Sequence, residues 1–304
     1  MKEPLVSIIL NCFNGEKYLK NCLESILLQT YQNYEVIFWD NCSTDNSKNI
    51  FMEINDNRFK YFNDSNHVNL YKARNKALNQ VKGDYISFLD VDDIWMPDKL
   101  SKQIEIFKDN KKIGFCYGGF KILNTKLGTL KSAYLNKLLK SGYITDQLIR
   151  KYNVGILTLM VSKEIIKMFD IKFDDRFTIM GDLDFVLRIS KYSKGVALKE
   201  DLGIYRKHLN NLSYDFDLTI KERIIWQKEV IEKSLFNENQ ILPFKRETKY
   251  LELINSLERF SLRKAVFFLR ELKGIFFVKG VVLIFNKLVL KLKSYLSLFL
   301  KNFD

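Results

Sequence analysis

The chain has 304 residues, of which 47% are apolar, and this is enough for a large core and excludes an intrinsically disordered protein. The formal net charge is +13, and between Arg259 and Lys301 ten Lys and Arg residues stand against one acid, so most of the excess lies near the C-terminus. The four cysteines form no CxxC pair, which argues against structural zinc, and no secretory signal is visible. We therefore expect a cytoplasmic protein with reduced thiols.

Short β-rich apolar runs alternate with helical patterns over the first hundred residues. Strands are predicted at 6–10, 34–40, 59–62 and 85–89, with helices between them. Pro97 begins a further helix. This alternation implies right-handed crossovers and a parallel sheet.

The pattern changes after about residue 114. Gly118, Gly119 and Gly128 predict turns between the short strands of an antiparallel extension. From Asp217 onward, apolar residues recur at helical spacing, which indicates a separate helical part of the chain.

Polar residues follow three of the predicted strands. The first strand ends in NCFN at 11–14, the second in DNCS at 40–43 and a later one in DVDD at 90–93. In parallel sheets the carboxyl ends of strands meet at one crevice, where ligands bind. Asp, Asn and Ser are also common caps at strand-to-helix turns, so each segment alone has a structural explanation. All three together favour a ligand site.

Four segments carry a resemblance to a known family. They are VSIILNCFNGEKYLKNCLESILLQTYQNYEVIFWDNCSTDNS from residue 6, ARNKAL at 73–78, GDYISFLDVDDIWMPDKL at 83–100 and GDLDFVLRIS at 181–190. Over about residues 4–210 the chain resembles the inverting family 2 glycosyltransferases of bacterial cell-surface polysaccharide biosynthesis. The resemblance implies the α/β GT-A fold, a Rossmann-like mixed sheet flanked by helices. It implies a catalytic domain at 1–213, with a nucleotide-binding half at about 1–112 and an acceptor half at about 113–213, before a helical basic region at 214–304.

Carboxylates crowd together in the segment FLDVDDIW at 88–95. Asp90 and Asp92 stand two residues apart at a strand end, which suits Mg²⁺ or Mn²⁺ bound to a diphosphate. The resemblance makes this the DxD motif, with Asp92 as the principal metal ligand, Asp90 at the metal and the nucleotide sugar, and Asp93 a weaker candidate or a helix cap. His208 is a further candidate ligand, with a structural histidine as the alternative.

Further contacts to the nucleotide sugar follow from the resemblance. Phe13, beside Asn14, matches an aromatic residue next to the nucleobase, and Asp40 matches a carboxylate that accepts from the base N–H, which favours UDP over other nucleotides. Arg74 and Arg206 are expected at the diphosphate. A core position for Phe13, a helix cap at Asp40 and an exposed helical arginine at 74 remain alternatives.

The acceptor hydroxyl needs a base, because an inverting transfer is one direct displacement. Asp182 matches the base of the family's ED motif, and Asp184 is the runner-up. The chain departs from the family at Gly181, where Glu is common, and this weakens the assignment of the base. Asp184 and Arg188 stand four residues apart and predict an ion pair on one helix face.

The segment 274–301 alternates apolar residues with lysines. Its pattern predicts an amphipathic helix at an anionic membrane surface, with packing on protein as the alternative. The chain is therefore expected at the inner face of the cell membrane as a peripheral protein. Nucleic acid is not expected as a partner, because the tail is too rich in Leu, Val and Phe. A homo-oligomer is left open.

Together these features predict a metal-dependent transferase that moves a sugar from a nucleoside diphosphate donor to a glycan or lipid-linked acceptor. Two alternatives are a nucleotidyltransferase, whose triphosphate loop is missing here, and a catalytically silent nucleotide-sugar-binding or membrane adaptor protein. The sugar, the linkage and the acceptor are not predicted by the sequence.

Overall fold

The computed structural model describes residues 3–108, 112–209, 211, 215–259, 268–269, 271 and 278–285. The chain divides into two compact units, one formed by residues 1–148 with 152–212 and the other by residues 149–151 with 213–304. The first unit contains the sheet, and the described part of the second is helical. The expected domains, 1–213 and 214–304, stay a prediction.

Strands and helices alternate through the first unit. In chain order the described elements are β1 (Val6–Cys12), α1 (Glu16–Leu27), β2 (Tyr34–Asp40), α2 (Ser47–Met52), β3 (Phe59–Asn63), α3 (Leu70–Leu78), β4 (Tyr85–Asp90), β5 (Ile94–Trp95), α4 (Lys99–Lys108), β6 (Ile113–Asn124), β7 (Thr129–Ser132), α5 (Thr145–Arg150), β8 (Met160–Ser162), α6 (Lys163–Met168), α7 (Gly181–Tyr192), β9 (Lys194–Lys207), α8 (Phe216–Glu232) and α9 (Glu238–Glu258).

The nine strands form one mixed sheet in the order β3-β2-β1-β4-β8-β6-β9-β5, with β7 paired to β6. The pairs among β1, β2, β3 and β4 are parallel, as the alternation of strands and helices predicts. Strand β8 is antiparallel to both of its neighbours, and β6 and β9 are parallel to each other. The first unit is therefore a mixed α/β sheet with helical crossovers in its N-terminal half.

The prediction of a turn at Gly118 and Gly119 is wrong. Strand β6 continues through both residues. Glycine suits these positions because neighbouring atoms leave little room for a side chain. A Cβ on Gly118 would come within 2.6 Å of Leu202, and the pairing of β6 with β9 shifts register on both sides of Gly119. Gly128, with φ +62°, lies in the connection of the antiparallel pair β6 and β7, as predicted.

Register brings the three polar strand ends to one edge of the sheet. Asn11 pairs with Asp90, and Cys12 pairs with Asp40. All seven residues of β1 and all seven of β2 are buried, so these strands are fixed by apolar contacts on both faces. The polar residues that follow them therefore lie close together at the rim of the sheet.

The second unit packs α8 and α9 together through a buried arginine. Arg223 donates to the hydroxyl of Thr248 at 3.0 Å and pairs with Glu247 at 2.8 Å. A small apolar cluster around Leu253 and Leu257 also includes Leu283 and Ile284, from the helical residues 278–285. Helix α9 and this short helical segment thus share a small apolar core within the unit.

A lysine lies at the centre of the sheet's core. The Lys99 side chain on α4 is fully buried and donates to Gln103 at 2.6 Å and to Ser87 at 3.2 Å. Its ammonium also lies 4.0 Å from the centre of the Trp95 ring. Burial lowers the pKa of Lys99 to about 7, because no carboxylate accompanies the charge into the core.

Lys99 makes stability depend on pH. Between about pH 7 and the ordinary lysine value near 10.4, the unfolded chain binds this proton more tightly than the folded chain, so the free energy of unfolding rises with pH. We expect Lys99→Met to remove a rise on the order of 1–4 kcal/mol over this window. Urea denaturation from pH 6.5 to 9.5 measures it. Lys108→Met, an exposed lysine of the same helix, is the control, and parallel curves for Lys99→Met and wild type would contradict the prediction.

Candidate active site

One buried arginine joins two elements at the polar edge of the sheet. Arg74, on α3, is 1% exposed in its side chain. Its Nη2 donates to both oxygens of Asp90, at 2.6 and 2.9 Å, and its Nη1 donates to Oδ1 of Asp182 at 2.5 Å. Asp90 ends β4 and Asp182 lies in the first turn of α7, so one guanidinium connects the DxD turn to the candidate base.

This geometry does not fit the expectation that Arg74 binds the diphosphate. Both ends of its guanidinium already face carboxylates, and the side chain is closed off from solvent. The three hydrogen bonds to carboxylates take up three of its five N–H donors. The contact of Arg74 with the diphosphate therefore stays a prediction. The alternative of an exposed helical arginine is wrong, because the Arg74 side chain is 1% exposed and paired with Asp90 and Asp182.

Asp182 is placed to accept a proton. Among the described residues, Arg74 is the one side chain that donates to its carboxylate, through Oδ1, and about a quarter of the Asp182 side chain is exposed. Burial raises its pKa to about 6, the charge of Arg74 opposes the rise, and the charge of Asp90 adds to it. Its second oxygen, Oδ2, is therefore left for a ligand, at a pKa suited to a base near neutral pH.

Asp184, the runner-up base, has a different environment. Its side chain is 2% exposed, and its carboxylate pairs with Nε of Arg188 at 2.8 Å. The ion pair expected from the spacing is confirmed. Because Asp184 is buried and already paired, it does not fit the role of a base.

Asp92 lies in a second polar cluster, beyond the end of β4. Its Oδ2 lies 2.9 Å from Nε2 of His208 and 3.3 Å from Nδ2 of Asn211. Asn211 also accepts from the backbone N–H of His208, at 2.6 Å, and the His208 ring stacks on Tyr18 with centroids 5.1 Å apart. The segment after β9 thus brings a nitrogen ligand to the second carboxylate of the DxD motif.

The Asp92 and His208 pair fits a divalent cation. A carboxylate oxygen and an imidazole nitrogen are a donor set that Mn²⁺ accepts, and burial and the neighbouring charge of Asp90 raise the pKa of Asp92, so added positive charge would be favourable. Within the described residues no group of three His, Cys, Asp or Glu residues forms a metal site. The chain would therefore supply part of the coordination, and diphosphate oxygens and water the rest.

Asp93 is not a helix cap. It is 2% exposed, and its Oδ1 accepts from the backbone N–H of Arg206 at 2.9 Å, which fastens β9 to the DxD turn. Burial and the charges of Asp92 and Asp90 raise its pKa well above the ordinary value. The Arg206 guanidinium lies 5.0 Å from the Tyr18 ring, and no hydrogen bond joins it to a side chain in the described part of the chain. The residue is 6% exposed, and its contact with the diphosphate stays a prediction.

The predicted nucleobase residues lie at the ends of β1 and β2. Phe13 is 47% exposed and contacts the His67 ring, with centroids 4.1 Å apart. Asp40 is 3% exposed, and its two oxygens accept from the Ser43 N–H at 2.8 Å and the Tyr61 hydroxyl at 2.7 Å. Each carboxylate oxygen can accept a second hydrogen bond, so the contact of Asp40 with a base stays a prediction.

Asn14 connects these two strand ends. Its side-chain oxygen accepts from the Thr44 N–H at 2.8 Å, and its own N–H donates to Ser43 at 3.0 Å. Its φ of +50° is tolerated by Asn better than by most residues. The structure thus gives Asn14 a part in loop geometry, and its contact with the nucleotide sugar stays a prediction.

Several residues around the candidate site were not predicted from the sequence. Tyr18 and Asn211 hold His208, His67 contacts Phe13, and Tyr71 packs beside Arg74. The hydroxyl of Tyr152 is buried, has no hydrogen-bond partner in the described structure and interacts with the charge of Asp182. The departure from the family pattern at Gly181 could have indicated a close neighbour, because an added Cβ there would lie 2.5 Å from the Tyr71 ring.

The chain is similar to known proteins in sequence. The model of the family described as Glycosyl transferase family 2 matches residues 7–159. A curated relative in Escherichia coli, UDP-Glc:alpha-D-GlcNAc-diphosphoundecaprenol beta-1,3-glucosyltransferase WfgD, is 33% identical over 174 residues, which cover 57% of this chain and 66% of the relative. The chain thus spans just under two thirds of that relative's length.

Solved structures share the fold. The Staphylococcus aureus TarS fragment 1–349 in complex with UDP-GlcNAc matches with a TM-score of 0.60 and 16% identity, over 86% of this chain and 88% of that chain. The mannosyltransferase PcManGT from Pyrobaculum calidifontis, in complex with GDP-Man and Mn²⁺, matches with a TM-score of 0.61 and 15% identity, over 96% and 81%. The fold is the GT-A fold of nucleotide-sugar transferases, as predicted. Since the family model matches half of the chain, the chain belongs to glycosyl transferase family 2.

Proposed function

We propose that the chain is an inverting glycosyltransferase that moves a sugar from a UDP-sugar to a glycan or lipid-linked acceptor in cell-surface polysaccharide biosynthesis. Asp182 is the base in this proposal. The observation that carries it is the environment of Asp182: Arg74 holds Oδ1, while Oδ2 has no donor among the described residues, at an edge that also carries Asp92. Membership of the family supports the reaction class.

Each residue has one part in the reaction. Oδ2 of Asp182 removes the proton of the acceptor hydroxyl while that oxygen bonds to the anomeric carbon. The bond between this carbon and the diphosphate oxygen breaks from the opposite face, and UDP leaves with the electron pair. The guanidinium of Arg206, which makes no side-chain hydrogen bond among the described residues, binds the departing phosphates.

A divalent cation, Mn²⁺ or Mg²⁺, held by Asp92 and His208 with Asp90 beside them, supplies charge neutralisation for the diphosphate when bound. The mannosyltransferase with a similar fold was solved with Mn²⁺. We infer a UDP donor because the E. coli relative is named for UDP-Glc and TarS was solved with UDP-GlcNAc. The relative's undecaprenol diphosphate acceptor supports a lipid-linked acceptor for this chain.

The first prediction concerns the base. Asp182→Asn removes the proton acceptor, so Mn²⁺-dependent release of UDP from UDP-glucose or UDP-GlcNAc should fall by about 10²–10⁴-fold while UDP affinity, measured by calorimetry, is kept. In wild type the rate should fall as pH drops below about 6, because Asp182 becomes protonated. Asp175→Asn, an exposed acid in the loop before α7, is the control.

Equal rates for wild type and Asp182→Asn would contradict the assignment of the base. If no nucleotide sugar is turned over by wild type but UDP still binds, the result would favour the alternative of a catalytically silent nucleotide-sugar-binding protein. The two outcomes differ in whether a turnover rate exists to be compared.

The second prediction concerns the cation. Asp92→Asn and His208→Ala each remove one donor atom of the proposed site, so each should weaken Mn²⁺-dependent UDP binding at least about tenfold. Calorimetric titration of UDP with and without Mn²⁺ measures the difference. Asp98→Asn, an acid paired with Lys102 on the surface, is the charge-matched control. Unchanged Mn²⁺ dependence in both variants would contradict the site.

We also propose an anionic membrane surface as a partner of the second unit. Most of the predicted segment 274–301 lies outside the described residues. In the described helical part, 278–285, the exposed apolar residues follow helical spacing and are Val278, Val281, Val282 and Phe285, at 61, 43, 52 and 65% exposure, and Lys279 beside them is exposed as well. Opposite them, Leu283 and Ile284 pack inward. No described helix is long and apolar enough to span a membrane. The exposed apolar face is the observation that favours attachment at the membrane surface.

The third prediction tests this face. Changing its four residues to serine removes apolar side chains that would enter the lipid interface, so co-sedimentation with phosphatidylglycerol vesicles should fall at least about tenfold. Ile224→Ser with Ile225→Ser, at 40 and 39% exposure on α8, is the matched control. Unchanged sedimentation of the fourfold variant would contradict the proposal.

A further inference from the structure

The position of Arg74 follows from contacts on every side of its guanidinium. A charge that is 1% exposed needs full compensation, and here two carboxylates supply it. The Tyr71 and Phe173 ring centres lie 5.6 Å from its central carbon, above the apolar core. The arginine therefore has little freedom to leave this arrangement.

Helix α3, which carries Arg74, also contacts the start of α7. The Tyr71 hydroxyl donates to the carbonyl of Ile179 at 3.1 Å, two residues before α7. The ring of Tyr71 occupies the space that a side chain at position 181 would need, since an added Cβ would lie 2.5 to 2.6 Å from three of its atoms. Gly181 thus lets the backbone of α7 approach α3 closely and brings Asp182 to Arg74.

We propose that Arg74 is a positioning residue for sugar transfer: anchored on Asp90, and helped by the contact of Tyr71 with Gly181, it holds Oδ1 of Asp182 so that Oδ2 is the proton-accepting oxygen. The inference rests on the proposed function of Asp182 as the base. Through Arg74, the strand end that leads into the DxD turn sets the orientation of the base. The base therefore takes its place from α3 and not from its own helix alone.

A planar guanidinium suits this task for a geometric reason. Nη2 grips both oxygens of Asp90, which fixes the plane of the group, and this plane then directs Nη1 at Asp182. A lysine ammonium keeps the charge but cannot fix a direction in the same way. The other ionisable groups near Asp182 are the hydroxyls of Tyr71 and Tyr152, whose pKa values burial raises well above the ordinary value, so they stay neutral.

The first experiment uses Arg74→Lys in the full chain. We expect kcat for UDP release from UDP-glucose with Mn²⁺ to fall about 10–100-fold, with KM for UDP-glucose within about threefold of wild type. In ¹³C carboxyl NMR, the pKa of Asp182 should rise above that of wild type, because the hydrogen bond from Arg74 is lost. Lys72→Met, an exposed residue of the same helix, should change neither value.

The second experiment keeps the side chains of Arg74, Asp90 and Asp182 and shifts helix α7. Gly181→Ala forces its Cβ against the Tyr71 ring, so kcat should fall by a similar factor without a large change in KM. The pKa of Asp182 should rise as in Arg74→Lys, because the shift of α7 weakens the hydrogen bond from Arg74. A merely structural contact would lower stability without changing this titration. If Arg74→Lys does not fold, Gly181→Ala carries the test alone.

The inference is overturned if kcat in the folded variants Arg74→Lys and Gly181→Ala stays within about twofold of wild type, or if Arg74→Lys leaves the Asp182 titration unchanged. Failure of the proposed function has a different signature. Asp182→Asn would then release UDP at the wild-type rate, while the NMR titration would still report whether Arg74 holds the Asp182 carboxylate.

Discussion

The ion pairs of Arg74 with Asp90 and Asp182 are the constraint on which the site depends. The guanidinium is closed off from water, and removing one partner of such a buried pair costs about 3–5 kcal/mol. The carboxylates must therefore stay where the arginine can reach both. One lies at the end of β4 and the other in the first turn of α7, so this single contact fixes a strand end against a helix that follows it by ninety residues.

Two functions are kept apart along the same edge of the sheet. Asp92, His208 and Asn211 lie together at this edge, and the guanidinium of Arg206 lies 5.0 Å from the ring of Tyr18, on which His208 stacks. Asp182, in contrast, has one oxygen held by a cation and the other unengaged among the described residues. In the proposed mechanism, charge stabilisation and proton removal therefore use different carboxylates, which fits a displacement with attack and departure on opposite faces.

Much of the fold was predictable from the spacing of residues along the chain. The alternation of strands and helices predicted the parallel half of the sheet, and the i, i+4 spacing predicted the pair of Asp184 and Arg188, because both depend on neighbours in sequence. The turn at Gly118 and Gly119 was wrong because two glycines also suit a strand that another chain segment crowds. Leu202 crowds Gly118, and Asn136 and Asp201 crowd Gly119, which no local pattern reveals.

The sequence by itself determined which strand ends are polar, that the chain resembles family 2 glycosyltransferases, and which carboxylates are candidates for metal and base. Only the tertiary structure decided their partners. Arg74 looked like a phosphate ligand from its motif, yet it is buried between Asp90 and Asp182, and Asp93 looked like a cap, yet it accepts from Arg206. The physical reason is that a charged group pairs with whichever groups folding brings close to it. These partners lie 16 to 113 residues apart in the chain, so local sequence does not show them.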